Sequence, residues 1–199
     1  MPPRRRSGST FTERARRDQL VALTVDLVAE HGYRGTSLQR IADAAEISKA
    51  AVLYHFPSKD AVIAAAYEHV IGGLITEVGA AVEAAPDPLA AAETYVDTVL
   101  AHLAAHPRHA RLVAESLPDD REITEDSPSS PRRWETLTRL ISEAAEQGLA
   151  RDGVDPRTSA IMLNGVVDGV VAAALEDPSI DIGGSRAAVA DLVRRHLRP

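Results

Sequence analysis

Only two lysines occur in the chain, beside twenty arginines. Both, Lys49 and Lys59, fall in one short stretch with Ser48, Tyr54 and His55. All five side chains can donate to an anion. Ser48 also stands where a helix would begin, so backbone N–H groups point toward whatever docks there. Such a cluster suits contact with phosphates. A second set, His102, His106 and His109, has the spacing of metal ligands on a helix. Pro107 interrupts that helix between the second and third histidine, however, and no Asp, Glu or Cys joins them at a tight interval. These histidines are expected at the surface, with no metal and no other cofactor. There is no Gly-rich phosphate loop, no nucleophile elbow and no pair of acids framed by apolar walls. With no candidate catalytic residue, the chain is not expected to be an enzyme.

The 199 residues suit one domain, or two small ones sharing a core. Hydrophobic residues make up 45% and aromatics only 4%, so the interior is to be built of Ala, Val and Leu, which favours packed helices. The absence of cysteine excludes disulfides and thiolate chemistry. No apolar run approaches the ~18 residues of a membrane span. Met1-Pro2-Pro3-Arg4-Arg5-Arg6 opens no signal-like stretch. The expectation is a soluble, cytoplasmic chain with no membrane partner. A net charge of −7 runs against nucleic-acid binding, yet its distribution does not. Residues 1–60 hold ten Arg or Lys against seven Asp or Glu, and residues 61–199 hold twelve against twenty-two. A basic head can dock on DNA while an acidic body is held off it. On charge alone, ordinary surface variation explains the asymmetry equally well.

The elements that must position these residues read as helices. Residues 1–11 form a flexible basic tail, in which Arg4-Arg5-Arg6 reads either as a minor-groove arm or as a solvated charge run. Thr10 and Glu13 fit a capping box, Leu20, Leu23, Leu27 and Val28 line one face, and Gly32 ends the helix. Ser37 can cap a short helix from Leu38 to Ala45, and Ser48 another from Lys49 to Phe56. Ile47 and Val52 form a hydrophobic staple around the second cap. Pro57-Ser58 then opens a long helix from Lys59 to about Ala84. Further helices are predicted at about 88–105, 107–117, 131–150, 156–175 and 184–197, with an acidic, Pro/Ser-rich loop at 118–130. No strand pattern appears, so the fold class is all-α. Two short capped helices joined by Glu46-Ile47-Ser48 make a helix-turn-helix at about 37–56, whose second helix would enter a major groove. The same pair also serves purely structural roles in other folds.

The run Gly32-Tyr33-Arg34-Gly35-Thr36-Ser37-Leu38-Gln39-Arg40-Ile41-Ala42, with Ile47-Ser48-Lys49 and Tyr54-His55-Phe56-Pro57-Ser58-Lys59-Asp60, resembles the N-terminal signature of the TetR family of transcriptional regulators. The resemblance implies a DNA-binding domain over 12–72 and a ligand-binding and dimerisation domain over 73–199. It implies that Thr36, Ser37 and Arg40 touch the DNA backbone or a base edge. Ser48, Lys49, Ala50 and Ala51 would face the groove, the alanine methyls against thymine methyls. Tyr54, His55 and Lys59 would clamp phosphates, where simple packing beside Phe56 is the plainer role for Tyr54 and His55. Two positions depart from the signature. Glu46 stands where the family usually has Gly, at a cost of roughly 1–2 kcal/mol if the turn is left-handed. Leu53 replaces a frequent Tyr.

In the body, helix 156–175 is apolar almost all round, so one side should face the core and another a partner subunit. Gly165 and Gly169 would let a second helix approach. The dimer contact is expected through Val166 and Val170 with Val189, Leu192 and Val193 of the last helix, the pair to which the resemblance also points. Tyr67, Tyr95, Trp134 and Met162 are candidates to line an apolar ligand cavity, with Asn164 beside them, although plain core is the simpler role for each of the first four. Asn164 and Asp168 reach either that cavity or solvent. Gly72-Gly73 within the long helix marks either a hinge or a close helix contact. Together these features predict a homodimeric regulator, a repressor released from a palindromic operator by a small apolar or amphipathic ligand. A regulator without a small ligand, an activator, a helical interaction adaptor and a metal-binding bundle are the alternatives.

Overall fold

Caps and glycines set the helix boundaries. In this computed structural model the described residues are 11–116 and 132–199, and among them nine α-helices and no strand occur. The basic tail, the Thr10 cap and the 118–130 segment lie outside the described residues. Helix α1 (Phe11–Gly35) is broken at Gly32, whose φ of 69° only glycine adopts freely. Ser37 and Ser48 accept from Arg40 N and Ala51 N at 3.1 Å each, opening α2 (Leu38–Ala44) and α3 (Lys49–His55). Ser58 does the same for α4 (Lys59–Glu83). Then follow α5 (Pro88–Ala105), α6 (Pro107–Ser116), α7 (Arg132–Glu146), α8 (Pro156–Glu176) and α9 (Ile182–Leu197). Asp155 caps α8, and hydrogen bonds from the side chain and backbone of Thr158 hold its carboxyl below the usual range.

In the body, two helix boundaries differ from the sequence reading by more than one residue, each for a local reason. Helix α7 stops at Glu146 rather than near 150, because Gly148 turns left-handed at φ 69°. Its N–H and that of Leu149 bond back to the carbonyls of Ala145 and Ala144, a Schellman closure. Helix α9 starts two residues early, because the Asp181 carboxylate accepts from both Gly183 N and Gly184 N.

The buried residues form two clusters. One joins α1, α2, α3 and the first half of α4 through Leu20, Ile41, Val52, Phe56 and Ile63, and it takes in Leu112 from α6. The other joins α5, α7, α8 and α9 through Leu100, Leu137, Ile141, Leu163 and Leu197. Helix α4 therefore serves both, its start in the head and Val82 against the body. Helix α6 does likewise, with Ala110 in the body cluster and Leu112 in the head. Helices α4 and α8 are long and apolar enough to match a membrane span, which no uninterrupted apolar run had indicated. Here they pack against α1, α5 and α6, and against α5, α7 and α9, respectively.

Candidate nucleic-acid interface and body cavity

The turn between α2 and α3 is left-handed, with Glu46 at φ 53°. The glutamate thus adopts the conformation that suits glycine rather than reshaping the turn, and Ile47 N bonds to Ala42 O at 3.0 Å to close it. Beyond the turn, Val52 and Phe56 anchor α3 in the head core. Lys49, Ala50, Leu53 and Tyr54 point outward as two i, i+4 pairs on adjacent rows. Ser37, Arg40 and Ser48 are also exposed, while Ala51 and His55 are half-buried. As caps, Ser37 and Ser48 use an oxygen lone pair and leave the hydroxyl proton available to an acceptor. Arg40 donates to the Gly35 carbonyl, which holds its guanidinium over the α1–α2 corner.

Three expected contacts are placed differently. Thr36 is 1% exposed and its hydroxyl donates to Gly32 O at 2.9 Å, so it ties the α1–α2 junction and offers nothing to a groove. Lys59 donates to Tyr33 O at 2.5 Å, with its ammonium 4.0 Å from the centre of the Tyr33 ring. The Tyr54 hydroxyl donates to Glu13 of α1 at 3.1 Å while its ring stays exposed. Two further residues belong to this face. Leu53 presents an exposed side chain between Lys49 and Tyr54. Arg17 of α1 donates to the His55 carbonyl at the end of α3 and lies 4.1 Å from the Phe56 ring centre. The clustering of Arg14, Arg16 and Arg17 was the available signal for the latter; the turn on which each faces α3 required the fold.

The body encloses a half-open cavity of about 880 Å³ between α4, α5, α7 and α8. Tyr67, Tyr95 and Asn164 line it as expected, with Val78, Leu103 and Val167 supplying apolar wall. Asp168 also faces the cavity and takes a bidentate pair of bonds from Arg133 at 2.7 and 2.9 Å. Trp134 and Met162 do not line it. Trp134 packs on the body core, and Met162 is 51% exposed on the outer side of α8. Gly72 sits in the cavity wall, and an added Cβ at Gly72 or Gly73 would meet nothing within 4 Å. Close helix packing is therefore not what these glycines serve within the chain.

The outer faces of α8 and α9 also need one correction. Val189 and Val193 are buried in the chain's own body core and cannot be offered to a partner. Val166 and Val170 are half-buried against that core. The outward apolar residues are Ile161, Met162 and Leu192, and Gly165 and Gly169 open onto free space.

The histidines were expected at the surface, whereas His102 is buried and His109 half-buried, with only His106 exposed. His106 caps α5 and Pro107 starts α6, so the corner turns His109 back over His102. The three rings stack with centroids 4.5 to 5.3 Å apart. Burial first, then the neighbouring His106, His102 and His69, push the His109 imidazole below its ordinary value, with Asp26 opposing.

Comparison with known proteins bears on the head most directly. Residues 20–66 match the family model described as bacterial regulatory proteins, tetR family. The chain is 27% identical over 177 residues to the HTH-type transcriptional regulator EthR of Mycolicibacterium smegmatis, covering 88% of this chain and 82% of that protein. It is 31% identical over 98 residues to RutR of Escherichia coli, covering 49% of this chain and 46% of that one. Its fold is similar to that of FadR from Bacillus subtilis, solved in complex with stearoyl-CoA, at 18% identity and a TM-score of 0.78 over 88% of this chain and 96% of that one. The reading as a helical adaptor with a merely structural helix pair is thereby set aside. Residues 20–66 thus match the helix-turn-helix region of the tetR family of bacterial regulatory proteins, and the chain as a whole is similar to HTH-type transcriptional regulators.

Proposed function

We propose that this protein is a homodimeric repressor that leaves a palindromic operator when a small amphipathic molecule enters the body cavity. The observation that carries this reading is the course of α4. One helix places Val62, Ile63, Ala66 and Val70 in the head core and then walls the cavity with Gly72, Val78 and Val82. Displacing its second half to admit a ligand changes the angle between that half and the first, which carries the head. Gly72 and Gly73, where Ala would be better by ~1 kcal/mol each, are the point of flexure. Apolar walls beside the Arg133–Asp168 pair suit a ligand with an apolar body and a polar end. The stearoyl-CoA complex of FadR, which shares the fold, agrees with that class.

On DNA, α3 enters the major groove with Ser48, Lys49, Ala50 and Leu53 toward the bases and Ala51 beside them. Ser37, Arg40, Tyr54 and His55 meet the backbone, and Lys59 sets Tyr33 rather than gripping a phosphate directly. Helices α8 and α9 meet their twofold copies through Ile161, Met162, Leu192 and the Gly165–Gly169 stripe, giving a four-helix contact and two half-sites. Its curated relatives being regulators, the chain acts in the cytoplasm by binding and not by catalysis. Selection of bound fragments from genomic DNA tests the first claim, followed by anisotropy titration. Lys49→Ala should weaken binding at every sequence and flatten the salt slope by about one unit. Unchanged affinity and slope in a folded Lys49→Ala protein would remove α3 from the interface.

A further inference from the structure

We propose that the corner between α5 and α6 is a site for a first-row divalent cation of the zinc type, held by His102, His106 and His109 with Glu77 behind His102. This goes beyond the repressor reading and does not depend on it. The three ligand atoms lie within 4.8 Å of one another. His102 Nε2 and His109 Nδ1 stand 3.1 Å apart. Two imidazole nitrogens on one tetrahedral zinc, with bonds of about 2.0–2.1 Å, are separated by about 3.3 Å, so this pair already has coordination spacing. His106 is exposed, and its ring would have to turn to close the third edge.

The surroundings prepare these rings as ligands. A metal-binding histidine typically gives its other ring N–H to a carboxylate or carbonyl, which fixes the tautomer and raises the basicity of the bound nitrogen. His102 Nδ1 lies 2.6 Å from a Glu77 carboxylate oxygen, so its proton resides there and Nε2 is left as a lone-pair donor. His106 Nδ1 donates to the His102 carbonyl at 2.9 Å, leaving its Nε2 free in the same way. His102 is 6% exposed, so this is a built, partly desolvated pocket with one open side. Three imidazoles with one supporting carboxylate suit zinc, nickel, cobalt or copper and not the oxygen-seeking calcium and magnesium. A fourth position falls to water.

The location gives the site a consequence. Helix α6 leaves this corner and grips the head: Arg108 pairs with Asp26 at 2.7 Å, Leu112 enters the head core, and Glu115 accepts from Tyr33 N at 3.2 Å. A cation clamping His109 of α6 to His102 of α5 fixes the angle of that grip.

The test uses the full-length protein purified without a histidine tag and stripped with a chelator. Zinc is titrated by chelator competition, and cobalt is followed by its visible ligand-field bands. One cation per chain is expected, with magnesium and calcium inert. His106→Ala and His109→Ala, at positions outside the tightest packing, should each abolish stoichiometric uptake. Glu77→Gln should weaken zinc affinity by about 10–100-fold. Circular dichroism confirms that each variant is folded, and His102 is avoided because its loss leaves a hole. Absence of stoichiometric zinc or cobalt uptake by the parent protein, or uptake unchanged in both folded His→Ala variants, overturns the proposal.

Discussion

The head and the body of this molecule solve opposite problems with the same material. In the head, helices are pinned at their starts: Ser37, Ser48 and Ser58 cap α2, α3 and α4, and Ile41, Val52 and Phe56 fill the space between them almost without exposure. A reading surface has to be rigid, since a groove rewards only side chains already in position. The body instead keeps a cavity of about 880 Å³, glycines beside open space, and apolar residues turned outward on α8 and α9. It is under-packed where a ligand would enter and under-covered where a second copy would sit. Function in the head comes from what is fixed, and in the body from what is left open.

The largest effect that sharpens this contrast concerns the uncovered face. Met162→Arg sets a charge on the outer side of α8, harmless to an isolated chain and costing about 3–5 kcal/mol where a partner buries it unpaired. Sedimentation should show folded monomers at micromolar concentration, with operator affinity falling steeply because one head meets one half-site. A dimer of normal strength would move the interface off this face. Next comes Leu112→Ala, which tests whether α6 belongs to the head. Leu112 is fully buried among head residues although its helix starts in the body cluster. Urea unfolding should show a loss of about 2–5 kcal/mol, and DNA binding should suffer more than dimerisation. The reverse order of damage would assign α6 to the body.

The contrast also governs what could be read without coordinates. Capping serines, the Ile47–Val52 staple and the Glu46 turn are relations over three to five residues, so the head was legible nearly residue by residue. The family resemblance put Thr36 against DNA, while its burial depends on how α1 ends at Gly32. The body's chemistry joins residues far apart in the chain: Glu77 with His102, Arg133 with Asp168, Arg186 with Asp97. Pro107 looked like the end of a metal pattern and is in fact the corner that brings His109 over His102. Val189 and Val193 show the same limit, since an apolar stripe announces that a face is covered but not by which helix.

The glycine pair in α4 gives a test of openness as a working feature. Gly72→Ala with Gly73→Ala adds no clash, and each substitution should favour the helix by ~1 kcal/mol. The double variant should bind its operator as well as the parent and respond less to ligand, measured as the ligand-induced drop in anisotropy. A full response would locate the flexing elsewhere in α4 or in α6.

The smallest effect concerns the one non-glycine residue at positive φ among the described residues. Glu46 holds φ at 53°, where a side chain costs roughly 1–2 kcal/mol relative to ordinary backbone. Glycine removes that strain but loses more freedom on folding, an opposing contribution of about 0.5–1 kcal/mol. Glu46→Gly should therefore stabilise the chain by only several tenths to about 1 kcal/mol, seen as a small rise in the urea midpoint with an unchanged slope. Because the backbone already has the shape that glycine prefers, α3 should not move, and operator affinity should rise slightly as one negative charge leaves the exposed turn beside the DNA-facing helix. A gain in stability with a loss of affinity would mean that the glutamate side chain itself positions α3, and that the head's rigidity rests on more than its caps and core.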